Sequence, residues 1–386
     1  MTITYQQLTT SKQQQLLLEQ AEVLAAAFKE RAAKIDAKGT FPYENFEDIK
    51  RNNFLALTVP QEYGGSGINL YDYLLIQEKL ATGDAPTALS LGWQLGVILE
   101  AAESRNWKEE SFAKLCDLIV NEKALINLAQ SEQATGSPSR GGIPTTTATK
   151  ENNGWRVNGR KSFTSMAVAL DYSIVTVDIN STGKKGFILI DHQLDGVSIE
   201  ETWDSIAMRG TKSDDLILDN VLVKDDALLV VEDIKKPSPK GWYLQIPAVY
   251  LGVALSARDY AVTFATNYRP TTLPGPISEV PEVRRKIGEI ELELFKAREV
   301  LYSVARKWVD YPDQRHLLGS ELAAAKHIVT NSANVVVDLA MRIVGARSLS
   351  AQNPLQRHFR DVRAGLHNPP TDDMIIYNLA NAVLNS

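Results

Sequence analysis

The spacing of hydrophobic residues changes twice along the chain. From about residue 11 to residue 120, apolar residues recur every three or four positions with polar residues opposite them, as in LLLEQAEVLAAAFKERAAKI, and this period predicts amphipathic helices. Between about residues 124 and 231 the apolar runs shorten to strand length, as in YSIVTVDI and GFILIDH, and turn-forming residues separate them. From Gly241 onward, three long amphipathic stretches and a short final helix follow.

Helices and strands therefore occupy separate parts of the chain. Such segregation argues against a doubly wound dinucleotide fold, in which helices and strands alternate. We predict a multidomain α+β protein with a helical domain over residues 1–122, a β domain over residues 123–231 and a second helical domain over residues 232–386. Six to eight strands of this length can close a small barrel or form a sandwich.

Composition narrows the class of protein. The chain has 386 residues, of which 44% are hydrophobic and 23% are charged, as in ordinary globular proteins. Its net charge is -6 and it has no basic run, so nucleic acid is not an expected partner. The apolar runs are shorter than the ~18 residues of a membrane span, and the N-terminus lacks the apolar core of a signal peptide. With Cys116 as the single cysteine, disulfides are excluded and a cytoplasmic protein is expected.

Two polar segments that follow predicted strands carry the candidate chemistry. Ser131–Pro138 comes directly after ALINLAQ, and its small and hydroxyl residues expose N–H and O–H donors that can bind a flat heteroaromatic ring or a pyrophosphate. In Asn158–Ser165, the alternate residues Phe163 and Ser165 would share one face of a strand, so that Phe163 covers a ring and Ser165 bonds its edge. Taken alone, each segment is better explained as a polar surface loop or an ordinary hairpin strand.

Taken together, these segments resemble the acyl-CoA dehydrogenase family. Ser131–Pro138 resembles the family loop T-E-P-G-A-G-S-D, and Asn158–Ser165 resembles N-G-x-K-x-W-I-T with Phe163 in place of Trp. The stretches from Asn53 to Gly67 and from Met208 to Val223 resemble two further family motifs in the same order. The resemblance covers almost the whole chain. It implies an N-terminal helical domain, a central β-barrel and a C-terminal four-helix bundle.

The resemblance also implies a flavin, FAD with FMN as the alternative, between barrel and bundle of a homodimer or homotetramer. It assigns Ser165 to flavin N5, and Arg269 to the dinucleotide phosphates across the subunit interface. Ser137 would also lie near the pantetheine of an acyl-CoA substrate. The residues implied at the cofactor are Leu128, Gln130, Ser131, Gly136, Ser137, Phe163, Thr164, Ser165, Arg269, Arg342, Gly345, Ala346, Thr371 and Asp373.

The chain departs from the family pattern at the catalytic base. Family dehydrogenases remove an α-proton with a carboxylate on the side of the substrate opposite the flavin. The family text D-x-R-x-x-x-x-Y-E-G-T-S-E resembles residues 361–373, but Asn368 and Pro369 occupy its Tyr and Glu positions. Some members carry the base on the first bundle helix, where Trp242 aligns and residues 241–258 contain no Asp or Glu. The expected carboxylate is missing from both places.

Three functions stay open. The favoured one, because the flavin loop is retained, is FAD-dependent oxidation of the CH–CH group of an acyl-CoA or similar thioester. Its nearest carboxylates, Asp372 and Asp373, are equally suited to cap the last helix. The second is a monooxygenase that uses reduced flavin, for which His367 would be a donor near flavin C4a. The third is a flavin- or CoA-binding protein without turnover. The five histidines show no metal-ligand spacing, so no metal is predicted.

Overall fold

The computed structural model describes residues 5–135, 142–232 and 238–384. Its N-terminal part is helical, and one capping box starts the long second helix. There the Ser11 side chain accepts from the Gln14 backbone N–H, and the Gln14 side chain accepts in return from the backbone N–H of Ser11. The helices are α1 (Tyr5–Leu8), α2 (Lys12–Lys38), α3 (Tyr43–Arg51), α4 (Leu70–Ala81), α5 (Ala85–Ser104) and α6 (Glu109–Val120).

The middle of the chain forms one sheet. Its strands are β1 (Ile126–Ala129), β2 (Thr147–Glu151), β3 (Gly154–Lys161), β4 (Tyr172–Ile179), β5 (Lys184–Asp191), β6 (Val197–Glu200), β7 (Asp215–Lys224) and β8 (Leu228–Glu232). Their order is β6-β7-β3-β2-β4-β5-β8, with β1 parallel to β4. Within the described residues, the end strands β6 and β8 do not pair with each other, so closure of the expected barrel is not confirmed. Alternate apolar residues such as Val157, Val177 and Ile188 still form a separate buried core.

Strand pairing is also divided in the middle of the sheet. Strand β4 carries two short partners along one edge, because β1 pairs with its first half and β2 pairs with only its last two residues. A sheet closes into a barrel only when strand pairing continues all the way around. The sequence pattern gives the number of strands but does not give this pairing.

The C-terminal part is helical again, as predicted. Its helices are α7 (Gln245–Asn267), α8 (Pro281–Asp310), α9 (Gly319–Val344), α10 (Pro354–His367) and α11 (Asp372–Leu384). At Gly252, a Cβ would lie 2.3 Å from the Glu78 carbonyl oxygen, so glycine lets α4 and α7 cross closely. Among the described residues, Gly319–Leu349 alone is long and apolar enough to cross a membrane, but half of that window is buried within the fold, as in a core helix.

Contacts between α10, α2 and the β domain fix the loop that precedes β7. Asp361 on α10 accepts a hydrogen bond of 2.6 Å from the backbone N–H of Met208. Burial raises the pKa of Asp361 to about 7, and the Met208 bond opposes that shift. Arg360 pairs with Asp36 on α2 and donates to the carbonyl of Ile206. These contacts hold residues 206–213 against the helical domains.

Candidate functional site

The two polar segments singled out in the sequence meet in the structure. The backbone N–H of Ser162, just after β3, donates to the carbonyl of Ser131, just after β1, over 2.9 Å. The amide Nδ2 of Asn127 on β1 donates to the carbonyl of Ser165, also over 2.9 Å. Leu128, Gln130 and Ser131 are half-buried around this junction. The Gly136 and Ser137 positions lie outside the described residues.

The segment after β3 is a turn, which corrects the expectation that Phe163 and Ser165 share the face of a strand. Strand β3 ends at Lys161, and Phe163 adopts φ 55°, in the left-handed region that bulky residues rarely occupy. Backbone bonds from Thr164 to the Asp214 carbonyl (3.2 Å) and from Met166 to the Thr211 carbonyl (2.8 Å) hold this turn. As a result, the Phe163 side chain is 68% exposed.

A second aromatic side chain stands beside Phe163. Trp203, for which core packing is the simpler interpretation from sequence, is half-buried, and its ring meets Phe163 edge-on at a centroid distance of 6.0 Å and an angle of 80°. One carboxylate oxygen of Asp214 accepts from the backbone N–H groups of Thr202 (2.9 Å) and Trp203 (2.8 Å) and so fixes the position of Trp203. The exposed ring of Phe163 offers a planar ligand an aromatic face bordered by a rigid neighbour.

Hydroxyl groups line the same turn. The Oγ atoms of Ser165 and Ser213 lie 3.0 Å apart, and Ser213 Oγ lies 2.9 Å from Thr211 Oγ1. The buried Thr164 Oγ1 and Trp203 Nε1 have no hydrogen-bond partner among the residues that the structure describes. A buried polar atom without a partner costs free energy, which a bound polar ring or a water would recover. This turn therefore offers an exposed aromatic face, hydroxyl groups and two buried polar atoms without a partner among the described residues. Together they fit a flat heteroaromatic ring such as a flavin.

A buried ion pair anchors this junction from the side of the sheet. The Glu132 carboxylate accepts from the backbone N–H and hydroxyl of both Thr145 and Thr146 and pairs with Lys161. Burial alone would raise the pKa of Glu132, but the hydrogen bonds from Lys161 and the two threonines outweigh it and lower the pKa to about 2. Burial lowers the pKa of Lys161 to about 8, against the opposing effect of Glu132. Glu132 therefore stays ionised and fixes the residues next to Ser131 and Ser162.

The position of the family base is Pro369, and the amide Asn368 precedes it. The Tyr250 hydroxyl on α7 donates to the side-chain oxygen of Asn368 over 2.6 Å. Burial raises the pKa of Tyr250 far above its usual range. The ring of Tyr250 packs against Gly365, where a Cβ would lie 2.7 Å from it. His367 is exposed at the end of α10. The Tyr250–Asn368 contact therefore offers no proton acceptor of the carboxylate type.

Asp372 and Asp373, the carboxylates nearest in sequence to the family base position, lie in the first turn of α11. Asp372 accepts from Asn331 Nδ2 over 2.9 Å and lies 3.2 Å from His327 Nδ1 and 3.6 Å from Lys326 Nζ. Burial would raise the pKa of Asp372, but these groups on α9 lower it overall. Asp373 is exposed, and Thr371 before it is half-buried. Asp372 thus joins α11 to α9.

The remaining predicted residues belong to the C-terminal helical part of the chain. Arg269 is exposed after α7, and Arg342 pairs with Asp338 on its own helix over 2.6 Å. Gly345 and Ala346 follow as an exposed turn. Within the described residues, no hydrogen bond or ion pair joins any of these four to the segments at Ser131 and Ser165.

A cavity that the sequence did not indicate lies near Arg269. It measures about 310 Å³ and is lined by residues of the last turns of α7 and the residue that follows: Tyr260, Thr263, Phe264, Asn267 and Tyr268. The guanidinium of Arg347 lies 4.3 Å from the centroid of the Tyr268 ring. The spacing of three aromatic residues at every fourth position along α7 is the signal that could have found it.

Comparisons with known proteins agree with this architecture. Three models of acyl-CoA dehydrogenase domains match the chain: the N-terminal domain over residues 10–117, the middle domain over residues 127–221 and the C-terminal domain over residues 244–368. The "Putative acyl-CoA dehydrogenase YdbM" of Bacillus subtilis is 51% identical over 369 residues, which are 95% of this chain and 96% of that protein.

Solved structures show the same fold. The structure of TdsC from Paenibacillus sp. A11-2 with FMN and indole matches with a TM-score of 0.85 and 25% identity, over 96% of this chain and 97% of that one. Butyryl-CoA dehydrogenase from Megasphaera elsdenii has a TM-score of 0.86 and 22% identity, over 98% and 99% of the two chains. The domain matches, together with a relative of 51% identity, show that the chain belongs to the acyl-CoA dehydrogenase family.

Proposed function

We propose that this protein is a flavin-dependent oxidoreductase that uses reduced flavin and O₂ to oxygenate a small organic molecule. One oxygen atom would enter the substrate and the other would leave as water, with two electrons supplied by the reduced flavin. Membership in a family of flavin-dependent oxidoreductases and oxygenases supports the proposal that the protein is a flavin-dependent oxidoreductase. The choice of oxygen chemistry depends on residues 368 and 369, where Asn368, which is bonded to Tyr250, and Pro369 leave no carboxylate at the family base position.

The flavin ring would lie against Phe163, with Ser131, Thr164 and Ser165 at its edge. The exposed Phe163 ring and the partnerless Thr164 hydroxyl support this placement. A bound flavin supplies the electron and hydride chemistry. The TdsC structure contains FMN, and KijD3 has also been solved with FMN, so FMN and FAD are both candidates.

A second subunit would complete the cofactor site. Four residues of the implied cofactor site are exposed in the single chain: Arg269, Arg342, Gly345 and Ala346. The exposed Arg269, and Arg342 if it exchanges its exposed partner Asp338 for an anion, suit the phosphates of a flavin held by a partner copy. We therefore propose a homodimer or homotetramer; the cytoplasmic location also stays a prediction from the sequence.

The observation that carries oxygen chemistry is the lack of a carboxylate at the base position, where Pro369 follows Asn368. Removal of an α-proton from a thioester needs a carboxylate there, whereas oxygen transfer from a reduced flavin does not. The Asn368 oxygen already accepts a hydrogen bond from the buried Tyr250. TdsC, a dibenzothiophene monooxygenase of the same fold, supports this choice.

Acyl-CoA dehydrogenation is the second candidate. The name of the relative YdbM and the buried Glu132 of the flavin loop favour it. In that case Asp372 or the exposed Asp373 would be the relocated base, whereas the exposed His367 belongs to the oxygenase, as a donor near flavin C4a. A flavin- or CoA-binding protein without turnover is the remaining alternative.

Two assays on the same purified protein separate these functions. In the first, oxidised flavin-loaded protein is mixed without oxygen with acyl-CoAs from butyryl to palmitoyl; we expect no loss of the visible flavin absorbance. In the second, protein with reduced FMN is mixed with air and dibenzothiophene or indole, and products are analysed by mass spectrometry. We expect one added oxygen atom. Bleaching by an acyl-CoA would contradict the oxygenase proposal, and flavin binding with neither activity would favour the non-catalytic alternative.

A further inference from the structure

Three hydroxyl groups form a chain that leads away from Ser165. Ser165 Oγ lies 3.0 Å from Ser213 Oγ, which lies 2.9 Å from Thr211 Oγ1. Thr211 Oγ1 in turn donates to the backbone carbonyl of Met208 over 2.9 Å. All three hydroxyl residues are buried, since Ser165 is 7%, Ser213 6% and Thr211 1% exposed.

The carbonyl at the inner end fixes the direction of every hydrogen bond in this chain. A carbonyl can only accept, so the single hydroxyl hydrogen of Thr211 is used on Met208. Ser213 must then donate to Thr211, and Ser165 must donate to Ser213. The hydrogen of Ser165 is thereby committed, and its oxygen can only accept from any further partner.

Reversing the chain would be unfavourable. If Ser165 donated outward, Ser213 would donate to Ser165 and Thr211 to Ser213. Thr211 Oγ1 would then face the Met208 carbonyl oxygen over 2.9 Å without a hydrogen between them. Two buried acceptors at this distance repel each other, and Thr211 would lose a hydrogen bond.

We propose that Ser213 and Thr211 are positioning residues that hold the Ser165 hydroxyl as an acceptor, so that the site prefers reduced over oxidised flavin. N5 of reduced flavin carries a hydrogen that can be donated to Ser165, whereas N5 of oxidised flavin is an acceptor and needs the hydrogen that Ser165 has committed. This inference rests on the proposed function, in which Ser165 faces N5. It deepens that function by naming reduced flavin as the form that the protein takes up.

The test compares the affinity for oxidised and reduced FMN, and for the same two states of FAD, under anaerobic conditions. Wild-type protein should bind the reduced form more tightly. In Ser213→Ala, the Ser165 hydrogen is free to reach oxidised N5, so the preference for reduced flavin should fall by about threefold to tenfold, the value of one hydrogen bond. The change in preference should come from tighter binding of the oxidised flavin.

Two further variants separate hydrogen-bond direction from a merely structural effect. Thr211→Val, which does not touch Ser165, should reduce the preference in the same sense, because Ser213 is then free to donate to Ser165. Ser213→Thr keeps a hydroxyl and should restore the wild-type ratio. Thermal unfolding shows which variants are folded. One folded variant, either Ser213→Ala or Thr211→Val, is sufficient for the test.

The outcomes distinguish this inference from the proposed function. A wild-type preference for oxidised flavin, or an unchanged ratio in a folded Ser213→Ala or Thr211→Val variant, would overturn the inference and leave the flavin proposal intact. Failure of the wild-type protein to bind either redox state would overturn both.

Discussion

At the scale of single residues, Glu132 and Lys161 determine where the candidate site forms. They are neighbours in sequence of Ser131 and Ser162, which bond to each other, and both side chains are buried. Two opposite charges removed from water stabilise a fold only as a pair, and the loss of one leaves the other uncompensated. The pair therefore ties the loop after β1 to the turn after β3.

Glu132→Gln should destabilise the protein strongly. Because it removes the negative partner of a buried Lys161, the free energy of unfolding should fall by about 3–5 kcal/mol. Urea unfolding followed by circular dichroism measures the change. The matched control is Glu122→Gln, an exposed position where a change within about 0.5 kcal/mol is expected. Equal stability of the two variants would contradict the role of the pair.

The same residue predicts a difference in acid stability. Its pKa is about 2 in the folded protein, whereas an unfolded glutamate titrates near about pH 4.3. Glu132 thus contributes stability that is fully present above about pH 5 and is lost as the pH falls through about 4 toward 2. Wild-type stability should decrease more steeply than that of Glu132→Gln across this interval. Parallel curves would show that Glu132 is not held ionised.

Phe163 has a strained backbone conformation in the candidate site. At φ 55°, a side chain with a Cβ is strained by roughly 1–2 kcal/mol, and the exposed ring recovers little by burial. Phe163→Gly should therefore be about 1 kcal/mol more stable than Phe163→Ala, while both lose the aromatic face. Denaturant midpoints of the two variants measure the difference. A less stable glycine variant would argue against strain at this position.

At the scale of elements, the helices follow from the sequence and the ends of the strands do not. The period of three to four predicts α2, α8 and α9, because each buries one apolar face; the long apolar run of α7 predicts a helix that is buried all round in its first half. The sequence also suggests that β3 continues to Ser165. It stops at Lys161, because the N–H of Ser162 bonds to Ser131, and Phe163 then turns away. Partners that are distant in sequence decide such ends, and periodicity does not contain them.

The crossing of α4 and α7 yields a prediction for packing. Gly252→Ala places a methyl group 2.3 Å from the backbone oxygen of Glu78, which cannot move without shifting α4. We expect a loss of about 1–3 kcal/mol of stability. Gly288→Ala on α8 is the matched control, because nothing lies within 4 Å of its Cβ; it should gain about 0.5–1 kcal/mol. Similar unfolding curves for both variants would contradict the close crossing.

At the scale of the whole molecule, the order of helical, sheet and helical parts agrees with the sequence, and the closure of the sheet does not. The sequence also identifies Ser131 and Phe163–Ser165 as candidate residues, and the bond between Ser162 and Ser131 joins their two segments. It could not show that Asn368 is bonded to Tyr250, or that Ser165 is linked to Thr211, because these contacts join residues from separate elements. The roles proposed for Arg269 and Arg342 need a second copy of the chain, which no single-chain pattern can position.

The central claim, that a flavin stacks on the turn at Phe163, is tested most directly by titration of the protein into FMN and FAD with flavin fluorescence as the signal. Wild-type protein should quench and bind at least one of the two. Phe163→Ala should weaken binding by about tenfold, whereas Phe295→Ala, which removes an exposed aromatic ring on α8, should not change it. Absence of binding in the wild type, or equal affinity in wild type and Phe163→Ala, would contradict the account.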